Sequence, residues 1–268
     1  MAYRDADALR AHWNAFAGLF EDAFERATSL LARSLAEHLR LDEADAVIEV
    51  GAGPGAGALA LSERMRDGAR LVVTDIAPKM VERARARLPG WVEVREANAE
   101  ELPYDDASFD RLLASLNLML VTDPERALAE AQRVLRPGGR AAWSVWGRAE
   151  HSLMFTLPQR AALKAGIELP HSRSNFHLGD REALRTRIAG HGFRNVLAWY
   201  QAIALDVRDG RHFADINLRT PSWQETLQGQ PPERVEIMRD ELIRATDECL
   251  QVGVPVGLDA LMVVAERS

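Results

Sequence analysis

Ala46-Val47-Ile48-Glu49-Val50-Gly51-Ala52-Gly53-Pro54-Gly55-Ala56-Gly57 is the stretch on which the fold turns. A short apolar run leads straight into a glycine-rich turn, and Ala58 to Met65 then take up helical spacing. A strand that must bend sharply into a helix needs glycines, which adopt positive φ and let a ligand approach the backbone closely. Gly51 and Gly53 fill the first two places of G-x-G-x-x-G/A, and Ala56 fills the third. Such a match is weak in a chain rich in Gly and Ala; a strand before it and a helix after it give it weight. The turn predicts a site for an adenosine-containing cofactor.

The flanking sequence repeats the same alternation. Strands are expected at 70–74, 91–96, 109–115 and 140–146, with helices at 78–88 and 124–135 between them. Pro78 suits the first turn of its helix, and Pro137-Gly138-Gly139 is a stop signal for the second. Strands alternating with helices at this interval build a parallel sheet covered on both faces. Upstream, residues 5–40 read as helix: Trp13, Phe16, Leu19, Phe20 and Phe24 recur at three- and four-residue spacing, continued by Leu30, Leu31, Leu35 and Leu39. Downstream, the alternation lapses from Gly147 to about Leu178, and again from Asp206 to Pro232, which is read as irregular. A helix over 180–191, a strand over 194–205, a long helix over 233–252 and a last strand over 258–266 complete the chain.

Composition narrows the function. The chain has 268 residues, 47% hydrophobic and 27% charged, as expected of a globular protein. A net charge of -7 argues against nucleic acid or an anionic membrane as partner. Cys249 is the one cysteine, so an intrachain disulfide and a cysteine zinc cluster are both excluded, and no metal site is expected. The opening MAYRDADALR lacks the apolar run of a secretory leader, and no run of about 18 apolar residues occurs. These features fit a cytoplasmic protein.

Asp75, 20 residues beyond Gly55 at the end of the second strand, can accept hydrogen bonds from both ribose hydroxyls, or it can cap the helix that begins near Pro78. The turn and Asp75 leave a nicotinamide dinucleotide and an adenosyl sulfonium both open.

Three further stretches separate them. Val47 to Gly55, Asn98-Ala99-Glu100-Glu101-Leu102-Pro103-Tyr104 running into Ser108-Phe109-Asp110, and Arg133-Val134-Leu135-Arg136-Pro137-Gly138-Gly139 resemble, in order and separation, the class I S-adenosylmethionine-dependent methyltransferases. The resemblance is to the small-molecule branch that includes the ubiquinone and menaquinone C-methyltransferases, and it covers residues 40 to 146. It implies an α/β fold: a doubly wound, Rossmann-like, seven-stranded sheet, mostly parallel with the last strand antiparallel, preceded by N-terminal helices. One domain over 1–268 is expected, with a helical cap at 1–41, a cofactor-binding core at 42–146, and lid-like insertions at 147–179 and 206–232. The implied cofactor is S-adenosyl-L-methionine. By the family pattern, Glu49 places the methionine amino end, Gly51, Ala52 and Gly53 line methionine and ribose, and Asp75 holds the ribose. Ile76 lies beside adenine, Asn98 and Ala99 read its edge, and Ser115 and Leu116 offer backbone contacts to the methionine amino group. Met80 either covers adenine or is plain core. Family members usually carry Asp where this chain has Asn98; an amide oxygen can accept the same hydrogen bond. They often have Cys where it has Ala52.

Methyl transfer from a sulfonium is an in-line displacement, so alignment and desolvation matter most. An acceptor that is a neutral, weak acid also needs a base. His151, His171 and His177 are the candidates, each otherwise a surface or packing histidine; His12 has a weaker claim. Asn117, just past the fourth strand, is a candidate to orient the acceptor. Trp143 and Trp146 are read as packing before stacking. The expected partner is a small-molecule methyl acceptor, with no nucleic acid and no membrane insertion; a monomer and a homodimer both remain compatible. An oxidoreductase would need a pair such as Tyr-x-x-x-Lys, and neither Tyr3, Tyr104 nor Tyr200 has Lys four residues on. A non-catalytic cofactor-binding protein, or a regulatory partner of an active methyltransferase, stays open.

Overall fold

The computed structural model describes residues 5–170 and 174–268. Its first 36 residues hold two helices where one was expected. α1 (Ala6–Ala23) is capped by Asp5, whose side chain accepts from the Ala8 N–H, and it gives way at Phe24 to α2 (Glu25–Ala36). The break follows from what each helix must cover. Ala17 of α1, with Trp13 and Phe20, packs on Ala77 and Met80 just beyond the end of the second strand, whereas Leu31 and Leu35 of α2 enter the main core. One straight helix cannot serve both surfaces.

The sheet follows the expected order of elements: β1 (Ala46–Val50), α3 (Ala56–Ser62), β2 (Arg70–Asp75), α4 (Pro78–Arg87), β3 (Glu93–Glu96), β4 (Phe109–Ser115), α5 (Pro124–Val134) and β5 (Leu135–Trp146). β1 is buried along its whole length, as a central strand covered on both faces must be. It pairs in parallel with β2 and β4, placing Ile48 opposite Val72 on one side and Leu112 on the other. β5 starts earlier than expected. Leu135 already pairs with Phe109, and the register then shifts so that Arg140 meets Arg111; the Pro137-Gly138-Gly139 segment is the irregularity between them. After β5 come α6 (Leu153–Lys164), α7 (Arg181–Gly190), β6 (Phe193–Ala204), α8 (Gly210–Asn217), α9 (Pro221–Leu227), α10 (Pro232–Gln251) and β7 (Gly257–Arg267). The complete order is β3-β2-β1-β4-β5-β7-β6, with β7 antiparallel to both neighbours. This is the Rossmann-like sheet that the motifs imply.

The segments read as lapses in the pattern are built, not irregular. α6, α8 and α10 bury Leu157, Ala161, Phe213, Met238 and Leu242 in an apolar cluster of their own, apart from the main core. Asp209 caps α8 by accepting from the His212 N–H at 2.7 Å, and Pro221 opens α9. The helical cluster is tied to the sheet at Gly147. There Asp259 of β7, 1% exposed, accepts from the Arg148 N–H at 3.0 Å and from its Nε at 2.8 Å, while the Asp259 N–H donates to Ser152 Oγ. The Arg148 guanidinium also lies 4.2 Å from the Tyr200 ring centroid, and the Tyr200 hydroxyl donates to the Gly179 carbonyl. Among the described residues, no helix is long and apolar enough to cross a membrane.

Candidate active site

The C-terminal ends of β1, β2 and β4 open onto one cleft. In an open α/β sheet this is where the crevice forms, because the crossovers part beside the first strand. The glycine turn makes its floor. Gly51 and Gly53 have φ of 67° and 58°, and the Ala52 N–H holds the turn to β2 by donating to the Thr74 carbonyl at 3.0 Å. A Cβ at position 51 would fall 2.1 Å from Asn117 Nδ2, so this glycine is what allows the chain after β4 to close over the turn.

Asp75 is held rigidly beside that floor. Its Oδ2 accepts from the Gly53 N–H and its Oδ1 from the Ala77 N–H, both at 2.9 Å. The carboxylate thus steadies the turn into α4, where Ala77 and not Asp75 is the N-cap, and each oxygen keeps a second lone pair. Burial pushes Asp75 up to about 6, against the pull of these backbone donors. Ala97 follows β3 and donates to the Asp75 carbonyl, which sets Asn98 next to it. Asn98 Oδ1 accepts from the Glu100 N–H at 3.0 Å; this partner fixes which end of the amide is oxygen, and one of its lone pairs is used locally.

The end of β4 is pinned by β5. The Ser115 and Ser144 hydroxyls lie 2.9 Å apart, and the Leu116 N–H reaches both the Ser144 hydroxyl and its carbonyl at 2.9 Å. Leu116 takes φ of 51°, the left-handed region unfavourable to a branched side chain, and these bonds offset the cost. Glu49 lies deeper, 2% exposed, with Oε2 lacking any hydrogen-bond partner. Burial, reinforced by Asp75 and Glu25, pushes it up to about 8.

All eleven residues singled out for the cofactor line this cleft: Glu49, Gly51, Ala52, Gly53, Asp75, Ile76, Met80, Asn98, Ala99, Ser115 and Leu116. Met80 is also packed in the small cluster with Ala17 and Ala77, as its reading as core expects. Asn117 and Trp146 join the lining, whereas Trp143 is 2% exposed in the main core. His151 and His177 do not line the cleft. His151 is exposed on the turn before α6, and His177 Nδ1 lies 2.9 Å from the Ser174 carbonyl on the stretch leading to Gly179. His171 lies outside the described residues. His12 packs edge-on against Trp13 and Phe16, and burial pushes it down to about 4. The sequence reading missed the helical wall: Leu9 of α1, and Glu25, Thr28, Ser29 and Ala32 of α2. Their i, i+3, i+4, i+7 spacing was a legible signal, since it puts two hydroxyls and a carboxylate on one face of a helix otherwise read as core.

Comparison with known proteins shows the family. Residues 48–143 match the model of a methyltransferase domain. Over 268 aligned residues, the chain is 38% identical to 27-O-demethylrifamycin SV methyltransferase of Amycolatopsis mediterranei, covering 94% of this chain and 86% of that one. The chain belongs to the class I S-adenosylmethionine-dependent methyltransferases. It is also 31% identical to demethylmenaquinone methyltransferase of Clavibacter sepedonicus over 188 residues, 63% of this chain and 76% of the relative. A solved S-adenosylmethionine-dependent methyltransferase from Thermotoga maritima shares the fold, with a TM-score of 0.56 at 20% identity over 97% of this chain and all of that one.

The methyltransferase uses S-adenosylmethionine, and the cleft suits that molecule on its own terms. The glycine turn has no room for a side chain at position 51, the Asp75 carboxylate keeps lone pairs for hydroxyls, and Glu49 Oε2 is buried without a hydrogen-bond partner.

Proposed function

We propose that this methyltransferase transfers the methyl group of S-adenosylmethionine to a small-molecule acceptor bound in the same cleft. The observation that carries the reading is the closure of the cleft by α1 and α2, which makes it a walled cavity instead of an open face. Two relatives named for small-molecule acceptors, 27-O-demethylrifamycin SV and demethylmenaquinone, support it.

The donor supplies a methyl already activated on its sulfonium. The chain supplies position and dryness. Asp75, oriented by two backbone N–H groups, accepts from the ribose hydroxyls; Asn98, Ala99, Ile76 and Met80 surround adenine; Gly51, Ala52 and Gly53 let the ligand lie against the backbone. Ser115 and Leu116 present the chain after β4 to the methionine end, and Asn117 orients the acceptor. Leu9, Trp13, Leu120, Val121 and Trp146 exclude water, so that the reacting atoms meet without a solvent shell. The α6–α8–α10 cluster, anchored at Arg148 and Asp259, gives no residue to the cleft lining. His151 and His177, away from the lining, take no proton-transfer role in this reading.

Titration calorimetry with S-adenosylhomocysteine tests it. The folded protein is expected to bind, and Asp75→Asn to bind at least tenfold more weakly, since hydrogen bonds to a charged group contribute roughly 1.5–3 kcal/mol. Labelled methyl donor should then yield a labelled product extractable as a small molecule. No binding by folded protein, or label appearing only in macromolecules, overturns the reading.

A further inference from the structure

We propose that Glu25 of α2 is a cofactor-binding residue, and that with Glu49 it forms a two-carboxylate cage for the ammonium group of the methionine moiety. The inference rests on the cofactor reading above and extends it to the N-terminal helices, where no sequence motif points. Glu25 is 8% exposed and Glu49 2%, and both line the cleft although they come from elements far apart in the chain. Glu49 is wedged in place: a Cβ at Gly57 would fall 2.2 Å from its Oε1 and 3.1 Å from the Ala32 Cβ, so the carboxyl sits between the first turn of α3 and the same face of α2 that carries Glu25. Its Oε2 has no hydrogen-bond partner. A buried carboxylate in that state is strongly unfavourable unless a cation joins it.

The charge balance around the pair points the same way. Asp75 on β2 adds a third carboxylate to the cleft. The cation beside them is Arg87 of α4, and it is shared: Nη1 meets Glu25 Oε1 at 2.5 Å while Nη2 meets Glu21 at 2.7 Å. Arg87 thus ties α2 to α4 but leaves the inner carboxyl unmatched. A ligand bringing an ammonium completes the set. Burial next to Asp75 and Glu25 lets Glu49 hold a proton in the ligand-free site; that proton is released to solvent as the arriving ammonium takes its place.

The test compares S-adenosylhomocysteine with 5′-methylthioadenosine, which has the same nucleoside but no amino-acid end. In Glu25→Gln, calorimetry should show S-adenosylhomocysteine binding weakened about tenfold while 5′-methylthioadenosine binding stays within about twofold of the unaltered protein, the latter also reporting an intact fold. Glu25→Asp, which keeps the charge and withdraws it by one methylene, should give an intermediate loss for S-adenosylhomocysteine alone, and it decides the matter if the Gln variant does not fold. Equal weakening of both ligands, or of neither, overturns the assignment of Glu25 and leaves the cofactor reading standing. If the unaltered protein binds neither ligand, the cofactor reading itself fails.

Discussion

Glu49 has a pH signature that follows from its surroundings. Its folded pKa is raised from 4.5 to about 8, so between those values the folded state holds a proton that the unfolded chain has lost. Stability therefore falls as pH rises through that window and levels off above it, with a slope of at most about 1.4 kcal/mol per pH unit from this one group. Asp75, raised from 3.8 to about 6, adds a fall of the same sign over its own lower range. Glu49→Gln removes the Glu49 contribution. Thermal unfolding of the ligand-free protein at pH 5 and pH 8 should show the melting temperature dropping more in the unaltered protein than in the variant; equal drops would mean that Glu49 is ionised in the folded state. Asp75 was legible in the sequence because its distance from the glycine turn is set by one helix and one strand. What the sequence left open is whether it serves a ligand or the start of the next helix; the bond from the Ala77 N–H depends on how the chain leaves β2.

The end of β4 shows how an element is held in an unfavourable conformation by its neighbour. Leu116 keeps its left-handed backbone because Ser144 of β5 supplies two acceptors to one N–H. Ser144→Ala leaves only the carbonyl. The expected loss is about 1 kcal/mol of stability, read as a lower urea midpoint, with a severalfold rise in the KM for S-adenosylmethionine as the chain after β4 loosens. Unchanged KM would separate this network from cofactor binding. Elements set by local pattern were the readable ones: β1, β2, β4 and α5 fall close to where alternation, Pro124 and the glycine turn put them. α8 and α9 were read as irregular, because helices of seven or eight residues carry too few turns to show a period. Their local signals, Asp209 as a cap and Pro221 at a first turn, are sound in hindsight, but their stability comes from packing on α10 and α1.

The molecule as a whole joins its two larger apolar clusters, one around the sheet and one among α6, α8 and α10, through a small polar junction. Asp259 accepts from Arg148 and donates its N–H to Ser152, so β7, the end of β5 and the start of α6 meet at one buried carboxylate. Asp259→Asn should cost about 2 kcal/mol, less than the ~3–5 kcal/mol of breaking a fully buried pair because the Arg148 side chain is 40% exposed. Amide hydrogen exchange should rise at 152–164 more than in β1 and β4. A uniform rise across the molecule would show that the junction supports the fold as one unit and does not act as the local anchor of the helical cluster.

The glycine turn, Asp75, the Asn98-Ala99 pair and the strand–helix alternation were determined by the sequence alone, because each is a contiguous piece whose geometry is fixed within one strand, turn and helix. Which faces of separate helices meet was decided only in three dimensions. The break at Phe24 sends α1 to Ala77 and Met80 and α2 to the core, and it brings Glu25, Thr28 and Ser29 into the cleft wall. The same packing leaves His151 and His177 outside the lining, although their place in the chain made them candidates. Residues far apart in sequence become neighbours through burial of apolar surface, which has no direction of its own, and so a periodic pattern can announce that a face is covered without saying by what.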